Sequence, residues 1–154
     1  MKIDQKNANY YDASQYSIGI VKANFNREIT DALLKSCLNE LAKYHIPESQ
    51  ITTIEAPGSV EVPYALKQLA KSKKFHALVA LGAIIKGETA HFDYVTKLAC
   101  DGIVRVSHDH DIPIGFGIIT AYSLEQAQDR LTLGAESCRA VLELLKNVSY
   151  ALKK

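Results

Sequence analysis

Residues Lys86 to His91 (KGETAH) combine three groups that can do chemistry together. Gly87 can turn tightly and let a ligand approach the backbone. Thr89 is a predicted helix N-cap. The N–H groups of Gly87, Glu88 and Thr89 would then face an anion such as phosphate at the positive end of a helix. His91 falls in the first helical turn, where the dipole disfavours imidazolium and leaves a neutral base suited to proton transfer near neutral pH. Without such a setting, a half-exposed histidine would need no role. Residues 82–89 (GAIIKGET) also approach the nucleotide-binding pattern G-x-x-x-x-G-K-[ST]. The lysine of that pattern is replaced by Glu88, whose charge would repel nucleotide phosphates, and this argues against ATP or GTP.

Other candidates are weaker taken singly. Glu61 follows the turn pair Pro57-Gly58 and could accept hydrogen bonds from a polar ligand; otherwise it is a solvated carboxylate at a helix start. Phe25 could stack on a flat ring, though an aromatic there is more often core. Arg130 could grip a phosphate bidentately, or form an ordinary surface ion pair. The run His108-Asp109-His110-Asp111 has metal-ligand residue types, yet a solvated helix end explains it better, and no metal site is expected.

These residues need elements to hold them. Apolar runs at 17–23, 51–56, 75–85 and 112–119 predict strands. Helical spacing covers 27–45, about 62–72 and 89 to about 106. One long last helix starts at Ser123, which forms a capping box with Gln126. This alternation predicts a single α/β domain: a three-layer αβα sandwich around a central four-stranded parallel sheet. Residues 1–15 form a polar segment that could pair with a neighbouring subunit's sheet edge, and 16–154 form the domain. Ligands of such sheets bind beyond the carboxyl ends of the strands. Asn24–Asn26, Pro57–Pro63, Lys86–His91 and Thr120–Tyr122 should therefore converge.

Composition limits the partners. The 154 residues are 47% apolar and 23% charged with a net charge of +1, so no general attraction to nucleic acid or membranes is expected. Cys37, Cys100 and Cys138 are widely spaced and read as buried thiols. The polar N-terminus lacks an apolar signal core, and no run is long enough to span a bilayer. A reducing cytoplasm is the expected location.

Taken together, NFN at 24–26, PGSVEVP at 57–63, GAIIKGETAHFDYV at 82–95, IPIGFGIIT at 112–120 and SLEQAQDR at 123–130 resemble the lumazine synthase family. The resemblance runs from the first strand to the last helix and implies a flavodoxin-like fold. It implies a transferase of riboflavin biosynthesis that condenses 5-amino-6-(D-ribitylamino)uracil with 3,4-dihydroxy-2-butanone 4-phosphate, releasing phosphate and water. By the same resemblance His91 shuttles protons and Phe25 stacks on the pyrimidine. Ser59, Val60 and Glu61 bind the ribityl chain, and Ile84 and Ile85 contact the ring. Gly87, Glu88, Thr89 and Arg130 bind phosphate, and Phe116 is lent by an adjacent subunit. The family uses no metal or organic cofactor, and its members are pentamers with sites between subunits, some closing into shells.

One stretch departs from the family. Residues 131–139 (LTLGAESCR) keep one glycine, Gly134, and replace two lysines of the pattern by Gly134 and Cys138. The alternative reading is a non-catalytic lumazine- or flavin-binding or shell-forming protein of the same fold. Retention of both His91 and Arg130 argues against it. A flavodoxin-like electron carrier would need a Ser/Thr/Gly-rich phosphate loop after the first strand, where Asn24-Phe25-Asn26 stands.

Overall fold

Each strand of the centre is apolar on both sides because helices cover both. In the computed structural model, which describes residues 9–153, β1 (Ile18–Ala23) is buried throughout. Its Ile18 and Ile20 face one helical layer, while Val21 and Ala23 face the other. Next come α1 (Arg27–Lys43), β2 (Ile51–Ala56), α2 (Val62–Lys71), β3 (Ala77–Ile85), α3 (His91–Asp109) and β4 (Ile114–Ala121). Two further helices, α4 (Leu124–Gln128) and α5 (Leu133–Leu152), end the chain. All strand pairs are parallel, in the order β2-β1-β3-β4. The expected αβα sandwich with a four-stranded parallel sheet is therefore what the chain forms.

Side chains of β3 alternate between the two layers. Ala77, Val79 and Leu81 join Leu33, Leu41, Tyr44 and Leu142 under α1 and α5. Leu78, Ala80 and Ile84 join Val62, Leu66 and Ile103 under α2 and α3. Each fully buried Leu or Ile contributes about 1.5–3 kcal/mol to holding these layers on the sheet. Pro63 lies in the first turn of α2, where its missing N–H costs nothing, and packs where Gly102 of α3 leaves room for it.

The last helix differs from expectation. Rather than running on from Ser123, it stops at Gln128 and restarts at Leu133. Ser123 Oγ accepts from the Gln126 N–H at 3.2 Å as read, while Gln126 Oε1 accepts at 2.9 Å from the N–H of Tyr122, one residue before the cap, rather than from that of Ser123. The break follows because Arg130 Nη1 donates to the Gln126 carbonyl at 2.6 Å, while the Arg130 N–H turns to Ala127. The offset lets α5 cross α1 at Gly134, where a Cβ would overlap the Leu33 carbonyl oxygen.

That crossing also changes the cysteine reading. Cys37 of α1 and Cys138 of α5 are fully buried and bonded to each other, with Cα atoms 6.1 Å apart; Cys100 alone is a free, half-buried thiol. One turn away, buried Arg139 donates through Nε and Nη2 to Glu40 Oε1 at 3.0 and 2.7 Å. Lys43 reaches the other carboxylate oxygen at 3.2 Å. Residues 9–15 pack on this layer: Ala13 is buried, Tyr11 donates to the Leu142 carbonyl at 2.6 Å, and the rings of Tyr10 and Tyr11 meet Tyr44 edge-on. Any pairing of residues 1–8 with another subunit lies outside the described residues.

The run His108–Asp111 closes α3, with His110 as its C-cap and Asp111 in the left-handed region at φ 51°. Among the described residues, no group of three His, Cys, Asp or Glu side chains could hold a metal ion. No helix among them is long and apolar enough to cross a membrane.

Candidate active site

The connection from β1 leads outward to β2 on one side, and the connection from β3 leads outward to β4 on the other. A crevice therefore opens between the carboxyl ends of β1 and β3, where the order reverses. A cavity of about 760 Å³ lies there.

The loop after β1 presents Phe25. The Asn24 N–H donates to the Ala56 carbonyl at 2.7 Å, and the Phe25 N–H donates to Pro57 at 3.1 Å. Asn26 takes the left-handed conformation, φ 56°, which a short amide side chain tolerates, and its Nδ2 donates to the Ala83 carbonyl at 2.9 Å. Held at both ends, the phenyl ring stands 71% exposed, so it is not core. Below it, Glu55 accepts from Asn24 Nδ2 at 3.0 Å and pairs with buried Lys22 at 3.3 Å. The Asn24 hydrogen bond, followed by Lys22, holds the Glu55 carboxyl below its usual range.

After β2, the Glu61 N–H donates to the Gly58 carbonyl at 3.2 Å and folds Ser59-Val60 over the crevice. Ser59 sits low enough that a Cβ on Gly82 would come within 2.7 Å of its Oγ. Glycine in the middle of β3 thus makes room for this loop.

After β3, the Lys86 N–H donates to the Ala121 carbonyl at 2.9 Å, the last rung joining β3 to β4. α3 starts at His91, two residues later than predicted, with Ala90 rather than Thr89 as N-cap; Thr89 Oγ1 accepts from the His91 N–H at 3.3 Å. The turn does not require glycine at 87, which has no positive φ and has open space where a Cβ would be. The use of Gly87 is the bare backbone it offers to the cavity.

The wall brings together nine of the twelve candidates: Phe25, Ser59, Val60, Glu61, Ile84, Ile85, Gly87, Thr89 and His91. Glu88, Phe116 and Arg130 are not on it. Glu88 is exposed beside the loop. Phe116 pairs with Ala80 in mid-sheet, five residues short of the end of β4, or about 16 Å along the strand. Arg130 is exposed and held by the Gln126 carbonyl. Residue-by-residue reading missed Phe92, Tyr94, Val95 and Leu98, which also line the cavity. His91, Tyr94, Val95 and Leu98 are spaced i, i+3, i+4, i+7, so the helical period already placed them on one face with the histidine.

An aromatic platform, a polar turn, exposed backbone and an imidazole on one wall define an α/β enzyme for small molecules. The sequence matches the profile of the 6,7-dimethyl-8-ribityllumazine synthase family over residues 15–149. Three curated relatives carry that same enzyme name. The protein of Paracidovorax citrulli is 42% identical over 142 residues, covering 92% of each chain. That of Polaromonas sp. is 40% identical over 134 residues, covering 86% of this chain and 87% of the other. That of Campylobacter jejuni is 40% identical over 144 residues, covering 90% and 93%. The chain belongs to the 6,7-dimethyl-8-ribityllumazine synthase family.

Proposed function

We propose that the chain is the transferase of riboflavin biosynthesis that makes 6,7-dimethyl-8-ribityllumazine from 5-amino-6-(D-ribitylamino)uracil and 3,4-dihydroxy-2-butanone 4-phosphate. The observation that carries this is the gathering of Phe25, the Ser59–Glu61 turn and the Gly87–His91 loop on one wall. The substrate amine attacks the ketone and loses water to form a Schiff base. Phosphate then leaves, and the second nitrogen adds to the carbonyl so formed and expels a second water as the ring closes. No covalent bond to the protein is needed, so alignment of two substrates and proton movement are the protein's work.

Phe25 stacks on the pyrimidine, with Ile84 and Ile85 against it, and Ser59, Val60 and Glu61 hold the ribityl chain. Gly87, Glu88 and Thr89 offer the phosphate loop, and His91 moves protons between the leaving phosphate and the closing ring. Phe116 and Arg130, which lie off their own chain's wall, reach the site of a neighbouring copy in a homopentamer. The exposed apolar side chains Tyr94, Leu98 and Val104 of α3 support such packing. Neither a metal nor an organic cofactor is required. The cytoplasm, where phosphorylated metabolites reside, suits this activity; the Cys37–Cys138 bond counts the other way, since disulfides are rare there.

Mixing both substrates and following product absorbance tests the reading. His91→Ala should lower turnover about 100-fold while pyrimidine affinity stays within about twofold; an unchanged rate would remove the proton-shuttle role. One observation favours the second reading, a binder without turnover: among the described residues of one chain, no lysine or arginine lines the wall. Ligand binding without product would establish it. Sedimentation analysis reports the oligomer.

A further inference from the structure

We propose that a second cavity, at the α1–α5 seam where buried Arg139 meets Lys43, is a binding site for a phosphate group. It encloses about 320 Å³ in the helical layer on the other side of the sheet from the active-site cavity. Ser36, Asn39, Lys43, Thr132, Ala135 and Arg139 of one chain line it, with Glu40 and Tyr10 between them. The site goes beyond the transferase reading and does not depend on it.

The charges of this cavity do not cancel. Glu40 Oε1 accepts from Arg139 Nε and Nη2 at 3.0 and 2.7 Å, and from the Tyr10 hydroxyl at 3.2 Å. Lys43 reaches Oε2 at 3.2 Å. One carboxylate thus faces two cations, and both of its oxygens are occupied. Arg139 is 3% exposed, yet its Nη1 has no hydrogen-bond partner among the described residues. A buried guanidinium nitrogen left bare is costly, and an anion's oxygen would relieve that cost. Lys43 is exposed at the rim, and its hydrogen bond to Glu40 raises its pKa and keeps it charged. Asn39 adds an amide, and the Ser36 hydroxyl, which accepts from the Ala135 N–H at 3.2 Å, keeps its own proton to donate. Thr132 and Ala135 stand at the start of the 20-residue α5. With the Ala135 N–H already taken, that helix contributes the positive end of its dipole rather than a hydrogen bond. Donors therefore outnumber acceptors around a net positive charge. A phosphate, with several acceptor oxygens and more than one negative charge, matches this set; a metal cation would be repelled by Arg139 and Lys43.

Calorimetric titration with inorganic phosphate at constant ionic strength tests this in the full-length chain, with Arg130→Ala present to weaken the phosphate subsite already assigned. Binding should persist in Arg130→Ala. Adding Lys43→Met should weaken it about five- to tenfold. Asn39→Asp, which sets a carboxylate on the same wall, should do at least as much, whereas Lys43→Arg should stay within about twofold. Lys146 is exposed on the same layer over the Tyr11 ring, so Lys146→Met is the matched control and should change nothing. Phosphate should also raise the melting temperature of Arg130→Ala, and should not raise that of the chain carrying Lys43→Met as well. With Arg130 intact, Lys43→Met should leave turnover and both KM values within about twofold, because the sheet separates the two cavities. Absence of phosphate binding in Arg130→Ala, or equal binding with and without Lys43, would overturn the proposal. The butanone phosphate, titrated separately, identifies the source of the group: tighter binding than inorganic phosphate marks a monoester and weaker binding marks the free ion. Either result supports the site when Lys43→Met weakens it. If the wild-type protein makes no product, the transferase reading fails alone and these titrations still decide the site.

Discussion

The two helical layers are built to different standards. Under α1 and α5 the layer is tightly filled, apart from a smaller cavity of about 320 Å³ beside Glu40, Lys43 and Arg139. A 20-residue α5 buries Gly134, Ser137, Cys138, Arg139, Val141 and Leu142, with a charged pair and a disulfide inside the seam. Under α2 and α3 the layer is left open at one end. A 19-residue α3 buries only Ala99, Ile103 and Val106, and its N-terminal half turns Tyr94 and Leu98 toward the cavity. Stability is concentrated on one side of the sheet and chemistry on the other. An active site needs exposed, unpaired groups, and a layer can leave them so when the opposite layer supplies the cohesion.

The contrast breaks most visibly at the buried pair. Arg139→Ala should cost about 3–5 kcal/mol in urea denaturation, because Glu40 would be left charged and buried with only the exposed Lys43 and the Tyr10 hydroxyl beside it. Turnover per folded molecule should not change. Equal loss of activity and stability would show that the two sides are not separate.

Phe25→Ala is the reverse case. The ring is exposed, so stability should move by less than about 0.5 kcal/mol. KM for the pyrimidine should rise about tenfold, the lower range of one lost stacking contact.

The smallest effect sharpens the closed side. Tyr44 is fully buried with no partner for its hydroxyl, and burial pushes its pKa from 10.0 up to about 12. A folded value above the unfolded one means that this group's stabilisation is whole below pH 10 and is lost as pH rises toward about 12. Tyr44→Phe should therefore flatten the fall in stability over that window, and change stability at pH 7 by less than about 1 kcal/mol. A thermal melt series across pH reads both.

Much of this was legible in the residues. Apolar runs placed every strand, and period-3.6 spacing the first three helices, to within a few residues. The turn pairs and the capping box marked the loop ends. What escaped has a physical reason in each case. The interruption between Gln128 and Leu133 depends on a side-chain donor, Arg130, competing for a helix carbonyl, which no periodicity encodes. The Cys37–Cys138 bond joins residues 101 apart that only the α1–α5 crossing brings together. Phe116 and Arg130 read well as chemistry but are held away from the cavity by strand register and by the same Gln126 carbonyl. The lost lysine at Gly134 is explained by contact rather than chemistry: with α5 this close to Leu33, a side chain has no room at that position.

Phe25 and Gly87 leave adjacent strands, and the interval between β1 and β3 is set by backbone hydrogen bonds at about 4.8 Å. With the roles proposed for Phe25 and Gly87, the sheet acts as a ruler for two reactants. Drift in the helices can loosen or tighten the molecule, but it cannot easily rescale the gap across which two molecules must meet.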